Sequence, residues 1–93
     1  MITKVELSAS ARKDLRRAPL PIVVKLRAWV DDVAHAGLEE ARRRPGYHDE
    51  PLKGSRQGQR SVRLNRSWRA IYVIKADDTI EFVEVQEVMN HDY

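Results

Sequence analysis

The sequence contains no cysteine, and this absence excludes two kinds of chemistry. Without a thiol, the chain can form no disulfide and offers no thiolate as a metal ligand or nucleophile. Long apolar runs are missing as well, since no stretch approaches the roughly 18 residues that a membrane-spanning helix needs. The N-terminus also lacks the apolar segment of a signal peptide. We therefore expect a cytoplasmic protein without a membrane partner.

The remaining composition is that of a small globular protein. Apolar residues make up 42% of the 93 residues and charged residues 33%. These values are typical of a soluble domain, and the length suits one domain, which we place at residues 1–93.

Positive charge is concentrated in one part of the chain. Residues 42–69 hold nine basic and two acidic residues, a net charge of +7, whereas the rest holds eight basic and twelve acidic residues, a net charge of −4. Such asymmetry is typical of a surface that binds a large anion, most often nucleic acid. A solvated charged surface and a site for an acidic protein are the alternatives at this point.

Apolar periodicity predicts an α+β fold with the order β-α-α-β-β-β. Alternation predicts a strand over residues 2–7, and Ser8 or Ser10 can cap a helix over 9–18. A second helix starts at the prolines 19 and 21 and ends at Gly37. A short helical turn over 38–44 and a loop over 45–59 follow. The last three predicted strands are joined by short turns and cover residues 60–65, 68–75 and 79–87. We expect the two helices to pack on one face of a mainly antiparallel sheet, with the last strand central and buried on both faces.

The second and third of these strands have a predictable register. Their even-numbered residues are apolar, and both strands can turn them toward one core only if residues 65–67 form a three-residue loop. In that register Arg63 lies opposite Arg69 on the other face of the sheet. Facing arginines repel each other by several tenths of a kcal/mol, a cost that a bound anion would offset. The register therefore predicts an anion site.

Two motifs resemble those of a known toxin superfamily. The first is Pro51-Leu52-Lys53-Gly54, followed by an arginine-rich strand and by Trp68-Arg69 at the start of the next strand. The second is the C-terminal run Asn90-His91-Asp92-Tyr93. With the two N-terminal helices, these motifs resemble the RelE/ParE toxins, most closely the RelE, HigB and YoeB branches. The resemblance implies a RelE-like fold and a ribosome-dependent messenger RNA endonuclease that needs no metal or other cofactor.

The resemblance also implies roles for five residues. Glu50 falls at the position of a candidate general base, and Arg69 at that of the arginine that grips the scissile phosphate. Arg63 matches a basic position on the preceding strand. His91 and Tyr93 resemble a C-terminal His–Tyr pair, although Asp92 separates them here and is itself a candidate.

These residue types suit RNA cleavage on chemical grounds too. The 2′-hydroxyl of RNA can attack the neighbouring phosphorus if a base takes its proton, cations stabilise the charge and an acid protonates the 5′-oxygen. Glu50 or His91 can be the base, and His91 or Tyr93 the acid. Further residues of the basic segment are predicted to bind RNA: Lys53, Arg56, Arg60 and, by stacking on a base, Tyr47.

Two other functions stay open at the level of sequence. A ParE-like toxin shares this fold but inhibits DNA gyrase and cuts no RNA, and a non-catalytic module would use the basic face only to bind an acidic partner. For a toxin of this superfamily we expect a cognate antitoxin, the ribosome and messenger RNA as partners. The toxin–antitoxin complex would be hetero-oligomeric and bind operator DNA through the antitoxin.

Overall fold

The computed structural model describes residues 1–90 and confirms the α+β class. Its α-helices are α1 (Ala9–Arg17), α2 (Leu20–Ala36) and α3 (Leu38–Arg42). Its strands are β1 (Val5–Leu7), β2 (Glu50–Pro51), β3 (Arg60–Arg63), β4 (Trp68–Asp77) and β5 (Ile80–Asn90). The predicted order is confirmed, with two short additions. One is α3, within the segment predicted as a helical turn, and the other is β2, within the segment predicted as a loop.

The helices begin and end where local chemistry predicts. The Ser8 hydroxyl accepts a hydrogen bond from the Ala11 backbone N–H at 3.0 Å, which caps α1. The same hydroxyl donates to the backbone oxygen of Gln86 in β5, so the cap also fastens the helix to the sheet. In α2 one stripe is buried against the sheet: Ile22, Leu26, Trp29 and Val33. Within residues 1–90, no helix combines the length and hydropathy that crossing a bilayer requires.

The five strands form one mixed sheet in the order β1-β5-β4-β3-β2. β1 runs parallel to β5, and all other neighbouring strands are antiparallel. β5 therefore lies inside the sheet, as predicted, with β1 on one side and β4 on the other. The core cluster lies between the helices and one face of the sheet, and it includes Val62, Ala70 and Tyr72.

A bulge in β5 explains why its sequence does not alternate. Ile71 pairs with Glu87 and Tyr72 pairs with Val85, so Gln86 is an extra residue on β5. Val85 and Val88 consequently both reach the core although one number is odd and the other even. The prediction that β5 is buried on both faces is wrong for most of the strand. Among the described residues of β5, only Phe82 is buried on the face away from the helices, and the Lys4 amino group lies 5.4 Å from the centre of its ring.

Gly37 joins α2 to α3 in a conformation that favours glycine. Its φ is 88° and its ψ is 155°, a region that side chains rarely adopt. We expect Gly37→Ala to lower the free energy of unfolding by about 1–3 kcal/mol, measured by urea denaturation. Gly46→Ala is the matched control, because Gly46 has no positive φ and a Cβ there would meet no atom within 4 Å. Equal midpoints for the two variants would contradict this account.

Candidate active site

The β3–β4 hairpin has the predicted register. Val62 pairs with Ala70 and Arg63 pairs with Arg69, so three residues form the loop. The side-chain oxygen of Asn65 accepts hydrogen bonds from the backbone N–H groups of Ser67 and Trp68, each at 2.8 Å. Because Val62 and Ala70 face the core, both arginines lie on the face away from the helices. The prediction that they share one face is confirmed.

A pocket of about 240 Å³ opens on this face of the sheet. Its apolar floor consists of Leu52, Ile71 and Met89. Its polar groups come from four different positions in the sequence: Glu50, Arg56, Ser61 and Arg69. The pocket thus joins a carboxylate from β2 to a guanidinium from β4, while Arg63 stands beside it as the partner of Arg69 across the strands.

No carboxylate within residues 1–90 balances the charge of the two hairpin arginines. Among the described residues, neither Arg63 nor Arg69 forms an ion pair with a carboxylate. The Arg69 guanidinium donates only to backbone oxygens, that of Asn65 at 3.2 Å and that of Trp68 at 3.5 Å. Two facing positive charges without an anion repel each other, so this part of the sheet is a ready site for an anion such as phosphate.

Arg56 differs from these two arginines, although it lines the same pocket. Its guanidinium forms an ion pair with Glu87 of β5 and donates to the side-chain oxygen of Gln59 at 2.9 Å. Its charge is therefore already balanced inside the protein, and a phosphate would have to compete with Glu87 for it.

Glu50 has an acid–base neighbour that the predicted site did not include. His48 Nε2 lies 3.6 Å from Glu50 Oε2, and both side chains are more than half exposed. His48 adopts a left-handed conformation, with φ 46° and ψ 49°, which turns the chain just before β2. The carboxylate that lines the pocket thus has an imidazole beside it. Within residues 1–90, no three His, Asp or Glu side chains gather closely enough to hold a metal ion.

Arg60 and Tyr47, both predicted to bind RNA, lie on the other side of the sheet. Arg60 Nε donates to Asp49 Oδ1 at 2.7 Å, so a phosphate would have to compete with this carboxylate for the charge of Arg60. Burial lowers the pKa of Arg60, but the hydrogen bond and charge of Asp49 outweigh this effect and the pKa lies above its usual value. Tyr47 packs against the core, and the amino group of Lys25 lies 5.3 Å from the centre of its ring.

The remaining predicted site residues are Lys53 and the three C-terminal residues. Lys53 is exposed just before the turn Gly54–Arg56 and does not line the pocket. His91, Asp92 and Tyr93 lie outside the described residues.

Ser61, which sequence reasoning did not select, is 95% buried and lines the pocket between β2 and β4. The alternation that placed Arg63 on this face also places Ser61 there, so the signal was present in the sequence.

Comparison with known proteins gives one family and one fold. A family profile described as "ParE toxin of type II toxin-antitoxin system, parDE" matches residues 5–88. No curated protein matches the sequence.

Solved structures share the fold of the chain at low sequence identity. YafQ from Escherichia coli is 22% identical with a TM-score of 0.70, and the match covers 94% of this chain and 91% of YafQ. The toxin–antitoxin complex RelBE2 from Mycobacterium tuberculosis gives 23% identity and a TM-score of 0.69, with 97% and 99% covered. The YoeB/ParE toxin from Agrobacterium tumefaciens gives 23% and 0.66, with 96% and 99% covered. All three superpose over nearly the whole chain.

Proposed function

Because that profile spans residues 5–88, the chain belongs to the ParE toxin family of type II toxin–antitoxin systems, and we propose that it acts as a ribosome-dependent endonuclease of messenger RNA. One observation carries the proposal. Glu50 and Arg69 line the same pocket, with Arg63 directly across the strands from Arg69, and within residues 1–90 neither arginine is paired with a carboxylate. A base and two free cations are what RNA cleavage by its own 2′-hydroxyl requires.

The proposed reaction is a transfer of the phosphoryl group within the RNA. Glu50 accepts the proton of the 2′-hydroxyl while its oxygen forms a bond to phosphorus. The bond from phosphorus to the 5′-oxygen breaks, and an acid donates a proton to that leaving oxygen. The products are a 2′,3′-cyclic phosphate and a 5′-hydroxyl end. His91 and Tyr93 are the candidates for this acid, because it must reach the side of the phosphorus opposite the base.

Arginines stabilise the charge that develops on the phosphorane oxygens in this proposal. Arg69 and Arg63 are the best placed, because neither is held by a carboxylate among the described residues. A single preorganised donor of this kind contributes on the order of 10²–10³-fold to a rate. Lys53 is exposed and follows the pocket residue Leu52, and its proposed role is to neutralise RNA phosphates. Arg56 and Arg60 serve mainly in ion pairs within the protein.

The size of the pocket supports a role for the ribosome. At about 240 Å³ it lies below the range of roughly 300–1,000 Å³ in which a whole small ligand is enclosed. The protein therefore surrounds only part of an RNA strand at the cut. In this proposal a ribosome with its bound message holds the rest of the strand in place.

A cognate antitoxin is the other proposed partner. Family membership is one reason, and a groove is another. An apolar groove of about 290 Å³ on the helix side is lined by residues of β1, α1 and α2, and Arg27 of α2 is one of them. An amphipathic, acidic antitoxin segment suits such a groove, because apolar side chains can fill it and a carboxylate can pair with Arg27. Binding of operator DNA would come through the antitoxin.

Purified protein, translating ribosomes and a reporter message test the function. We expect the message to be cut at codon boundaries and DNA supercoiling by gyrase to continue at its normal rate. Gyrase inhibition is the second candidate, because the matching profile is that of ParE toxins. Stalled gyrase with an intact message would replace the proposed function by this one. An intact message with active gyrase would leave a binding module.

A further inference from the structure

Asp49 is a buried carboxylate for which the proposed reaction has no use. Only 1% of its side chain is exposed, yet both of its oxygens have donors. Arg60 Nε donates to Oδ1 at 2.7 Å and the Tyr72 hydroxyl donates to Oδ2 at 2.6 Å. Burying a charge is costly unless it is paired and hydrogen-bonded, and this site meets both conditions.

Both donors are themselves fixed within the fold. Tyr72 is fully buried, and its ring lies 5.3 Å from that of Trp29 in α2, measured between centres. Arg60 is the neighbour of Tyr72 across the strands. Burial and the Asp49 carboxylate both raise the pKa of Tyr72 well above its usual value, so its hydroxyl stays protonated and keeps donating. Asp49 is thus bonded to a fully buried side chain of the core and to the residue across the strands from it.

The segment that follows Asp49 is attached to the sheet by a short pairing with β3, in which Glu50 lies opposite Ser61 and Pro51 opposite Arg60. β2 consists of Glu50 and Pro51 alone, both exposed, and the proline has no N–H to donate. Beyond β2, the Leu52 backbone N–H donates to the Gln59 oxygen at 2.9 Å. Successive side chains of a strand point to opposite faces, so fixing Asp49 on the core side directs Glu50 to the pocket side.

We propose that Asp49 is a positioning residue for the reaction: with Arg60 and Tyr72 it forms a clamp that holds Glu50 at the pocket opposite Arg69. This inference rests on the proposed function, since it assigns Asp49 an effect on the base of that reaction. The clamp acts through Glu50 and does not touch the RNA.

A double-mutant cycle measures this dependence. Tyr72→Phe removes one hydrogen bond of the clamp and keeps the ring in the core. We expect it to lower kcat on programmed ribosomes by about 10- to 100-fold with little change in KM, because a base displaced by about an ångström loses that much. In a Glu50→Gln protein, Tyr72→Phe should lower kcat no further, because the residue that the clamp positions is already gone. An equal loss in both backgrounds would overturn the proposal.

Amide hydrogen exchange tests the clamp without reference to activity. Tyr72→Phe should speed exchange at the Leu52 amide by at least 10-fold, while the Val83 amide, bonded to the Lys4 oxygen inside the sheet, keeps its rate. Equal acceleration at both amides would show a merely structural role and overturn the proposal. So would unchanged exchange at Leu52.

Glu84→Gln is the matched control for Asp49→Asn. This substitution also removes the charge of a paired carboxylate, because Glu84 lies 3.0 Å from the amino group of Lys75. Glu84 does not line the pocket. We expect normal kcat for Glu84→Gln and a loss for Asp49→Asn. If the wild-type protein cuts no RNA, the proposed function fails, and with it the role in catalysis. The exchange rates then still decide whether Asp49 holds the segment.

Discussion

Replacing Arg69 with alanine is expected to abolish growth inhibition by this chain while the fold stays intact. The Arg69 guanidinium lines the pocket and binds no carboxylate among the described residues, so in the proposed reaction its charge stabilises the scissile phosphate. Loss of one such donor lowers a rate on the order of 10²–10³-fold. Stability should change by no more than about 0.5 kcal/mol, because the side chain makes few contacts and its removal relieves the repulsion with Arg63.

Growth after induction and urea denaturation of the purified protein measure the two expectations. Arg66→Ala is the matched control, since Arg66 belongs to the same hairpin but is exposed in its loop and does not line the pocket. This variant should remain toxic. Full toxicity of Arg69→Ala at normal expression would count decisively against the site.

A message with a 2′-deoxynucleotide at the cut position should not be cleaved at all. The proposed nucleophile is the 2′-oxygen of the RNA, and no protein group can replace it. The assay uses a synthetic message on ribosomes with the deoxynucleotide in the codon that is cut, and mass spectrometry of the products of the unmodified message should find a 2′,3′-cyclic phosphate.

The same deoxynucleotide one codon away serves as the control and should leave cleavage unchanged. Cleavage of the modified message at its usual position would mean that water attacks the phosphorus. The roles of Glu50 and the arginines would then have to be reassigned, although the chain would still be a nuclease.

The hairpin shows why part of the site was accessible from sequence. Alternation in two neighbouring strands gives each residue a face, and the demand for one common core then fixes the register. Arg63 and Arg69 could be paired on these grounds alone. The information needed was local, since only about ten residues are involved.

The ion pairs show why the sequence did not predict which arginines of the site are already paired. Arg56 and Arg60 counted as free positive charge in the sequence, yet Glu87 and Asp49 neutralise them in the structure. Arg56 and its partner are 31 positions apart, and nothing in the local pattern marks that pairing. A basic segment therefore predicts an anion-binding surface but not which of its cations remain available.

The extra residue at Gln86 has a consequence for any attempt to redesign the pocket. On β5 the even-numbered Phe82 and the odd-numbered Met89 both point away from the helices, because the extra residue Gln86 between them shifts the odd–even alternation by one. Deleting Gln86 would make the ladder with β4 regular, and Val88 would still face the core while Met89 still lines the pocket. Substitutions meant for the pocket wall must therefore be placed at even-numbered residues before Gln86 and at odd-numbered residues after it.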